Sequence, residues 1–286
     1  MQTAVKITNL SFTYSKRTPY EKLALNNINL EVEEGEIVGI IGETGSGKST
    51  LIQHLNALIK VQNKKKSKVE IYGKDARVKK NLLEIRKTVG MCFQYPEHQL
   101  FEDTVEKDIE YGPKNMGYKK TEYPYLVNKA MRLVNLDESF KSRNPFQISG
   151  GEKRRVALAG IIVTSPKILV LDEPMAGLVP IGENEIKKLI KQLHEEVSQT
   201  IFFVSHDMDD IAEIVDRVVV MSKGEIILDS PVREAFNDEE MIKGLHLDIP
   251  KARRIANKLI ERGLDIRKDI LTMKELEEEI VRVRSV

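Results

Sequence analysis

The chain changes its hydrophobic rhythm several times, and those changes outline its elements. Residues 5–14, V-K-I-T-N-L-S-F-T-Y, alternate apolar and polar positions and predict a strand with one buried face. Residues 28–32 predict a second strand after a polar turn. Residues 37–41, I-V-G-I-I, are apolar almost without interruption and predict a buried strand, and residues 49–58 then place apolar side chains at helical spacing. From about 81 to 144 the pattern is mostly helical, clearest over 103–116 and 125–134. Beyond it, Val/Ile/Leu-rich runs at 168–171, 200–204 and 217–221 alternate with a helix predicted over 184–197 and a shorter one after His206. That alternation predicts βαβ units and a parallel sheet. From Met241 onward the tail is distinct: Ile255, Ala256, Leu259 and Ile260 share a helical face, and residues 271–276 open a last, charged helix. No internal repeat interrupts this order.

The expected fold class is therefore α/β, with an antiparallel β subdomain at the N-terminus, an inserted helical subdomain at about 95–163 and a small extension at the C-terminus. We place the main domain at 1–236 and the extension, a candidate dimerisation or regulatory element, at 237–286. A length of 286 residues with 41% apolar and 31% charged content suits one domain plus an appendage. With 45 basic against 44 acidic residues the formal net charge is +1, so no electrostatic footprint for nucleic acid dominates, and none is expected as a partner. The single cysteine, Cys92, lies in the apolar run V-G-M-C-F and is expected to be packing in a reducing compartment. No secretory signal pattern is seen, and no apolar stretch approaches the roughly 20 residues of a membrane helix. The run Lys64-Lys65-Lys66-Ser67-Lys68 carries no interleaved aromatics and reads as a solvated loop.

Three motifs carry the chemistry. The segment Gly42-Glu43-Thr44-Gly45-Ser46-Gly47-Lys48-Ser49-Thr50 stands between a strand and a helix, the setting of a phosphate-binding loop. Its glycines let backbone N–H groups converge on anionic oxygens at a helix N-terminus. Lys48 supplies a point charge to the β and γ phosphates, and Ser49 offers a hydroxyl to Mg²⁺. Asp172 ends a hydrophobic strand in I-L-V-L-D-E-P, where it can hold the metal's water shell, with a helix cap as the plainer reading. Glu173 is the candidate for polarising the attacking water, against a merely structural carboxylate. Gln94 follows the run V-G-M-C-F; its amide can reach metal or water, although by chemistry alone it reads equally as a surface glutamine. His206, in V-S-H-D, also follows a strand and can hydrogen-bond a γ phosphate, or cap a helix. The turn Ser149-Gly150-Gly151 opens a helix predicted over 151–163, about twenty residues before the Asp-Glu pair.

In order and spacing, Gln94, Ser149-Gly150-Gly151, Asp172, Glu173 and His206 resemble the Q-loop, signature, Walker B pair and switch histidine of ABC ATPases, which are P-loop NTPases. Tyr14 is similar to the aromatic that stacks on adenine there; its alternative is a strand-end tyrosine in the core. The stretches F-Q-Y-P-E-H-Q-L-F and P-F-Q-I-S-G-G-E-K-R-R resemble the energy-coupling factor ATPases of prokaryotic vitamin and metal importers, and G-L-H-L-D-I-P is similar to their C-terminal extension.

The resemblance implies ATP and Mg²⁺ as cofactors, and ATP hydrolysis that drives transport from the cytoplasmic face of the membrane. It also implies a head-to-tail pair with a second ABC ATPase, a membrane scaffold subunit met by residues 94–101, and a substrate-binding membrane subunit. Each ATP would be covered by the partner's signature turn.

Two departures matter. Val179 stands where the family has an aspartate in the loop after Asp-Glu-Pro. Glu152 replaces the usual signature glutamine, and is expected to face away from the triphosphate. Val179 leaves a second reading open, a nucleotide-binding regulatory partner that closes on ATP without turnover. A soluble ABC protein acting on ribosomes or DNA is the weakest, because one ATPase domain is present and no long heptads.

Overall fold

The residues described by the computed structural model are 2–197, 199–237, 242, 244, 245 and 247–284. The N-terminal half runs through β1 (Thr3–Tyr14), β2 (Lys22–Glu33), β3 (Ile37–Gly42), α1 (Lys48–Leu55), β4 (Lys68–Ile71), β5 (Lys74–Asp75), α2 (Leu82–Thr88) and β6 (Val89–Cys92). Three longer helices follow, α3 (Val105–Asn115), α4 (Tyr123–Leu133) and α5 (Gly150–Ile162). The second half alternates β7 (Ile168–Asp172), α6 (Pro180–Val197), β8 (Thr200–Val204), α7 (Met208–Ile214), β9 (Arg217–Ser222), β10 (Glu225–Pro231) and α8 (Val232–Ala235), before the tail helices α9 (Lys251–Glu261) and α10 (Met273–Arg284).

Period-two patterning builds the smaller sheet. In β1, Val5, Ile7, Leu10 and Phe12 are buried while Lys6 and Asn9 face solvent, and antiparallel partners on both sides complete the order β2-β1-β4-β5. β2 starts at Lys22, earlier than its apolar centre predicts, and the short β4 emerges directly from the lysine-rich loop.

The larger sheet has the order β10-β9-β3-β8-β7-β6, with β9 through β6 parallel and β10 an antiparallel edge. Its central strands are buried on both faces, which is why they read as unbroken apolar runs. Parallel pairing of Asp172 with Val204 and of Gly42 with Met221 brings the carboxyl ends of β3, β7, β8 and β9 to one edge. The loops carrying residues 43–47, Glu173 and His206 therefore emerge side by side, where open α/β sheets bind ligands.

Val127, Ala130 and Met131 of α4 and Val156 and Ala159 of α5 belong to the same apolar cluster as Leu169 and Leu171 of β7, so the helical insertion shares its core with the sheet. Thr104 caps α3 by accepting from the Lys107 amide. In the tail, α9 and α10 enclose a small cluster of Ala252, Ala256, Ile266, Ile270 and Leu276. Ion pairs from Arg233 to Glu275 and from Lys251 to Asp209 tie it to α8 and α7. Met241, the expected start of this tail, lies outside the described residues. Among the described residues no helix is long and apolar enough to cross a membrane.

Candidate functional site

The loop after β3 is shaped by glycines that nothing else replaces. Gly42 has φ +149°, and a Cβ there would lie 2.2 Å from the Met221 carbonyl oxygen; at Gly47, φ +110°, it would lie 2.6 Å from that of Ala24. Gly47 then starts α1, leaving that helix's first N–H groups aimed into the loop. Lys48 folds over the loop, Nζ donating to the carbonyls of Gly42 at 2.5 Å and Glu43 at 3.0 Å. Burial lowers its pKa, opposed by the nearby carboxylates of Glu173 and Asp172. The Ser46 hydroxyl is buried and has no hydrogen-bond partner. A concave loop rich in N–H donors, with a lysine and an orphaned hydroxyl, fits a phosphate group.

Asp172 ends β7 at the loop's side. Burial and the adjacent Glu173 push its carboxyl up to about 6, against the pull of Lys48. A carboxylate so placed is stabilised by a further cation, and the Ser49 hydroxyl and Gln94 amide line the same cleft of about 660 Å³. Among the described residues no group of three or more His, Cys, Asp and Glu side chains makes a metal site by itself. A hard cation here would thus share its coordination with substrate oxygens.

Glu173 takes a left-handed backbone conformation, φ +50°, while its N–H donates to the Val204 carbonyl at 3.0 Å. This sharp departure from the strand, costing about 1 to 2 kcal/mol, turns the chain at the sheet edge. The Glu173 Oε2 lies 2.9 Å from His206 Nδ1; the imidazole is 79% exposed and the carboxylate 17%. Both side chains line the cleft with Lys48 and Ser49, as do Gly42, Glu43, Thr44 and Gly45. Tyr14 lines an adjoining recess of about 150 Å³ with Gly45, Gly47, Lys48, Ser49 and Thr50. Its ring is half exposed rather than in the core, edge-on to Phe12 at 4.8 Å, and its hydroxyl is 3.1 Å from Thr50 Oγ1. That ring is held at the surface with a face available.

Ser149, Gly150 and Gly151 do not join this cleft. They lie exposed at the start of α5, and a Cβ added at either glycine would meet nothing within 4 Å. The subunit's own packing asks for no glycine there. Glu152 turns back onto Ser149: its Oε2 accepts from the Ser149 N–H at 2.8 Å and hydroxyl at 2.7 Å, while Ser149 Oγ accepts from the Glu152 N–H at 3.3 Å. The pair is a capping box, and the helix N-terminus favours the carboxylate's charge.

Arg154, one turn further along α5, is 1% exposed and escaped the sequence reading. Its guanidinium grips Glu97 through Nε at 3.0 Å and Nη2 at 2.9 Å, and donates to the carbonyls of Pro174 and Ala176, each at 3.0 Å. One side chain thus joins the signature helix, the segment after Gln94 and the loop after Glu173. The only sequence signal was an arginine spaced with Ala157 and Leu158 on a helix face. Leu247 and Asp248 of the tail also line the cleft, which their spacing did not foretell.

A profile of the ABC transporter family matches residues 25–176, more than half of the chain. The energy-coupling factor transporter ATP-binding protein EcfA2 of Clostridium perfringens is 47% identical over 282 residues, covering 98% of both chains. Its namesake in Acetivibrio thermocellus is 48% identical over 279 residues, again covering 98% of each. The chain belongs to the ABC transporter family, in its energy-coupling factor ATP-binding branch. Among solved structures, CbiO1 of Clostridium perfringens, part of the ABC transporter complex CbiONQ, superposes with a TM-score of 0.73 at 34% identity, covering 86% of this chain and 95% of that one. The ATP-binding cassette MJ0796, seen as a dimer in a post-hydrolysis state with ADP and phosphate, gives 0.69 at 29% identity over 80% of this chain and 98% of its own. Val179, the residue before α6, is 67% exposed.

Proposed function

We propose that this chain is the ATP-hydrolysing subunit of an energy-coupling factor importer for a vitamin or transition-metal ion. It would be paired with a second ABC ATPase at the cytoplasmic face of a membrane, beside a scaffold and a substrate-binding subunit that form the solute's path. The observation that carries the reading is the convergence of Lys48, Ser49, Asp172 and the Glu173–His206 pair on one cleft, in a chain 47% identical along its length to an energy-coupling factor ATP-binding protein.

In this reading Lys48 leaves its loop carbonyls for the β and γ phosphates, joined by the N–H groups of residues 43–50, and Tyr14 stacks on the adenine. Ser49, Gln94 and Asp172 are the oxygen donors for Mg²⁺, which offsets phosphate charge when bound. Glu173 accepts the proton of the water that attacks the γ phosphorus as the bond to ADP breaks. His206 turns from Glu173 to donate to the γ phosphate. Ser149, Gly150 and Gly151 cover the nucleotide held by the partner, which accounts for two glycines at positions where a side chain would meet nothing within their own chain.

The test is affinity purification from native membranes in mild detergent, with identification of co-purifying chains and phosphate-release assays of wild type and Glu173→Gln. Co-purification of a second ATPase with membrane subunits, and turnover lost in the variant, is the expected result. Ribosomes or no membrane protein would overturn it. The exposed Val179 favours one alternative, a regulatory partner without turnover of its own; under it Glu173→Gln would change little.

A further inference from the structure

Glu152 occupies the donors that a phosphate arriving from outside would need. Both the amide and the hydroxyl of Ser149 are directed at Glu152 Oε2. The contact is charged on one side only, since Ser149 brings two neutral donors. A carboxylate held this way presents like charge to an incoming triphosphate, and the two anions compete for the same N–H and O–H groups.

We propose that Glu152 is an internal counter-ligand of the signature turn: its carboxylate holds Ser149 in the open subunit, and the γ phosphate of a nucleotide bound by the partner ATPase must displace it. Building on the shared-site reading above, this assigns Glu152 a part in how much ATP is needed to close the pair. The surroundings offer the displaced carboxylate an alternative. Arg143 and Arg155 both lie close enough to help hold its pKa down, after the larger effect of the Ser149 hydrogen bonds. Arg143 stacks over the Phe140 ring at 4.0 Å, and Arg155 bonds Glu185. A rotation about the Glu152 side chain would move the charge off Ser149 and leave it in the first turn of α5, where the helix still favours it, within reach of the fields of Arg143 and Arg155. The turn therefore has two arrangements, and ATP selects between them by binding one better.

The experiment uses the full chain, with its co-purified partner ATPase, in a Glu173→Gln background and with a chelator present, so that neither this chain's own site nor the partner's turns over. Two quantities are measured: the ATP concentration giving half-maximal association, by sedimentation, and the affinity of the chain alone for a fluorescent ATP. Glu152→Gln keeps an acceptor for the helix cap but loses the charge. It is expected to associate at about tenfold lower ATP, the difference between a charged and a neutral acceptor, with unchanged affinity for the fluorescent nucleotide. Glu152→Ala, which also lowers Tm by removing the cap, is expected to shift in the same direction and guards against misfolding of the first variant. Equal or higher ATP requirements in both variants would overturn the role of Glu152. If parent and variants all bind the fluorescent nucleotide but none associates with ATP, the shared site itself falls, and this inference with it.

Discussion

His206 Nδ1 sits 2.9 Å from Glu173 Oε2, so the two residues assigned to water activation and phosphate contact hold each other. The proposed mechanism requires them to separate. Glu173→Gln removes the proton acceptor and is expected to lower phosphate release by about 10² to 10⁴-fold while ATP still binds. His206→Ala is expected to fall less, because Glu173 remains. Turnover within threefold of wild type in Glu173→Gln would remove the base from this mechanism.

The two sets of glycines should respond in opposite ways to the same added methyl. Gly42→Ala drives a Cβ to 2.2 Å from a backbone carbonyl and is expected to abolish binding of fluorescent ATP or prevent folding. Gly151→Ala meets nothing within 4 Å. It should leave stability unchanged, or up to about 1 kcal/mol higher from helix propensity, with nucleotide binding by the single chain intact and the paired ATPase impaired. Loss of single-chain binding in Gly151→Ala would place that turn in the subunit's own site.

Removing one member of a buried ion pair strands the other. Arg154→Met leaves Glu97 and two backbone carbonyls without their donor, and is expected to destabilise the chain by about 3 to 5 kcal/mol in urea unfolding. The double variant Arg154→Met with Glu97→Gln should recover part of that loss. Additive losses would mean the two side chains do not act as a unit.

Glu275 accepts from the amides of Leu271 and Thr272 and pairs with Arg233, and these bonds, outweighing burial, bring its carboxyl down from 4.5 to about 2. A lowered folded-state value means its contribution is full above about 4.5 and is lost as pH falls toward 2. With solvent screening, Glu275→Gln is expected to cost about 1 kcal/mol at pH 7. The gap to wild type should narrow between pH 5 and 3, measured by denaturation across that range. A gap that widens on acidification would contradict the assignment.

Cys92 is fully buried at the end of β6, and burial pushes its thiol up to about 12. Alkylation of the native protein at pH 8 should be slower by orders of magnitude than in denaturant. Rapid native labelling would show that β6 opens locally.

The phosphate loop, the Asp172-Glu173 pair and the central strands were legible because each is a local fact: an unbroken apolar run ending in a polar motif needs no knowledge of its neighbours. The short strand β4 and the edge strand β10 were not, since four residues after a lysine run, or the segment E-I-I-L-D-S-P, become strands only when a partner offers its ladder. Glu152 shows the same limit at the scale of one side chain. Its identity suggested a charge to be kept from phosphate, whereas hydrogen bonding within the capping box decided its direction. Arg154 was invisible because its partners lie 57 residues before it and 20 and 22 after it.

The four hydrogen bonds of Arg154 also bear on how motion leaves the site. The carbonyls of Pro174 and Ala176 follow Glu173 directly in the chain, and Glu97 lies three residues beyond Gln94. A planar guanidinium has no internal hinge between its nitrogens. A shift of the loop after Glu173 would stretch these bonds unless Glu97 moved with it, so one side chain would link chemistry at the sheet edge to the segment that follows Gln94.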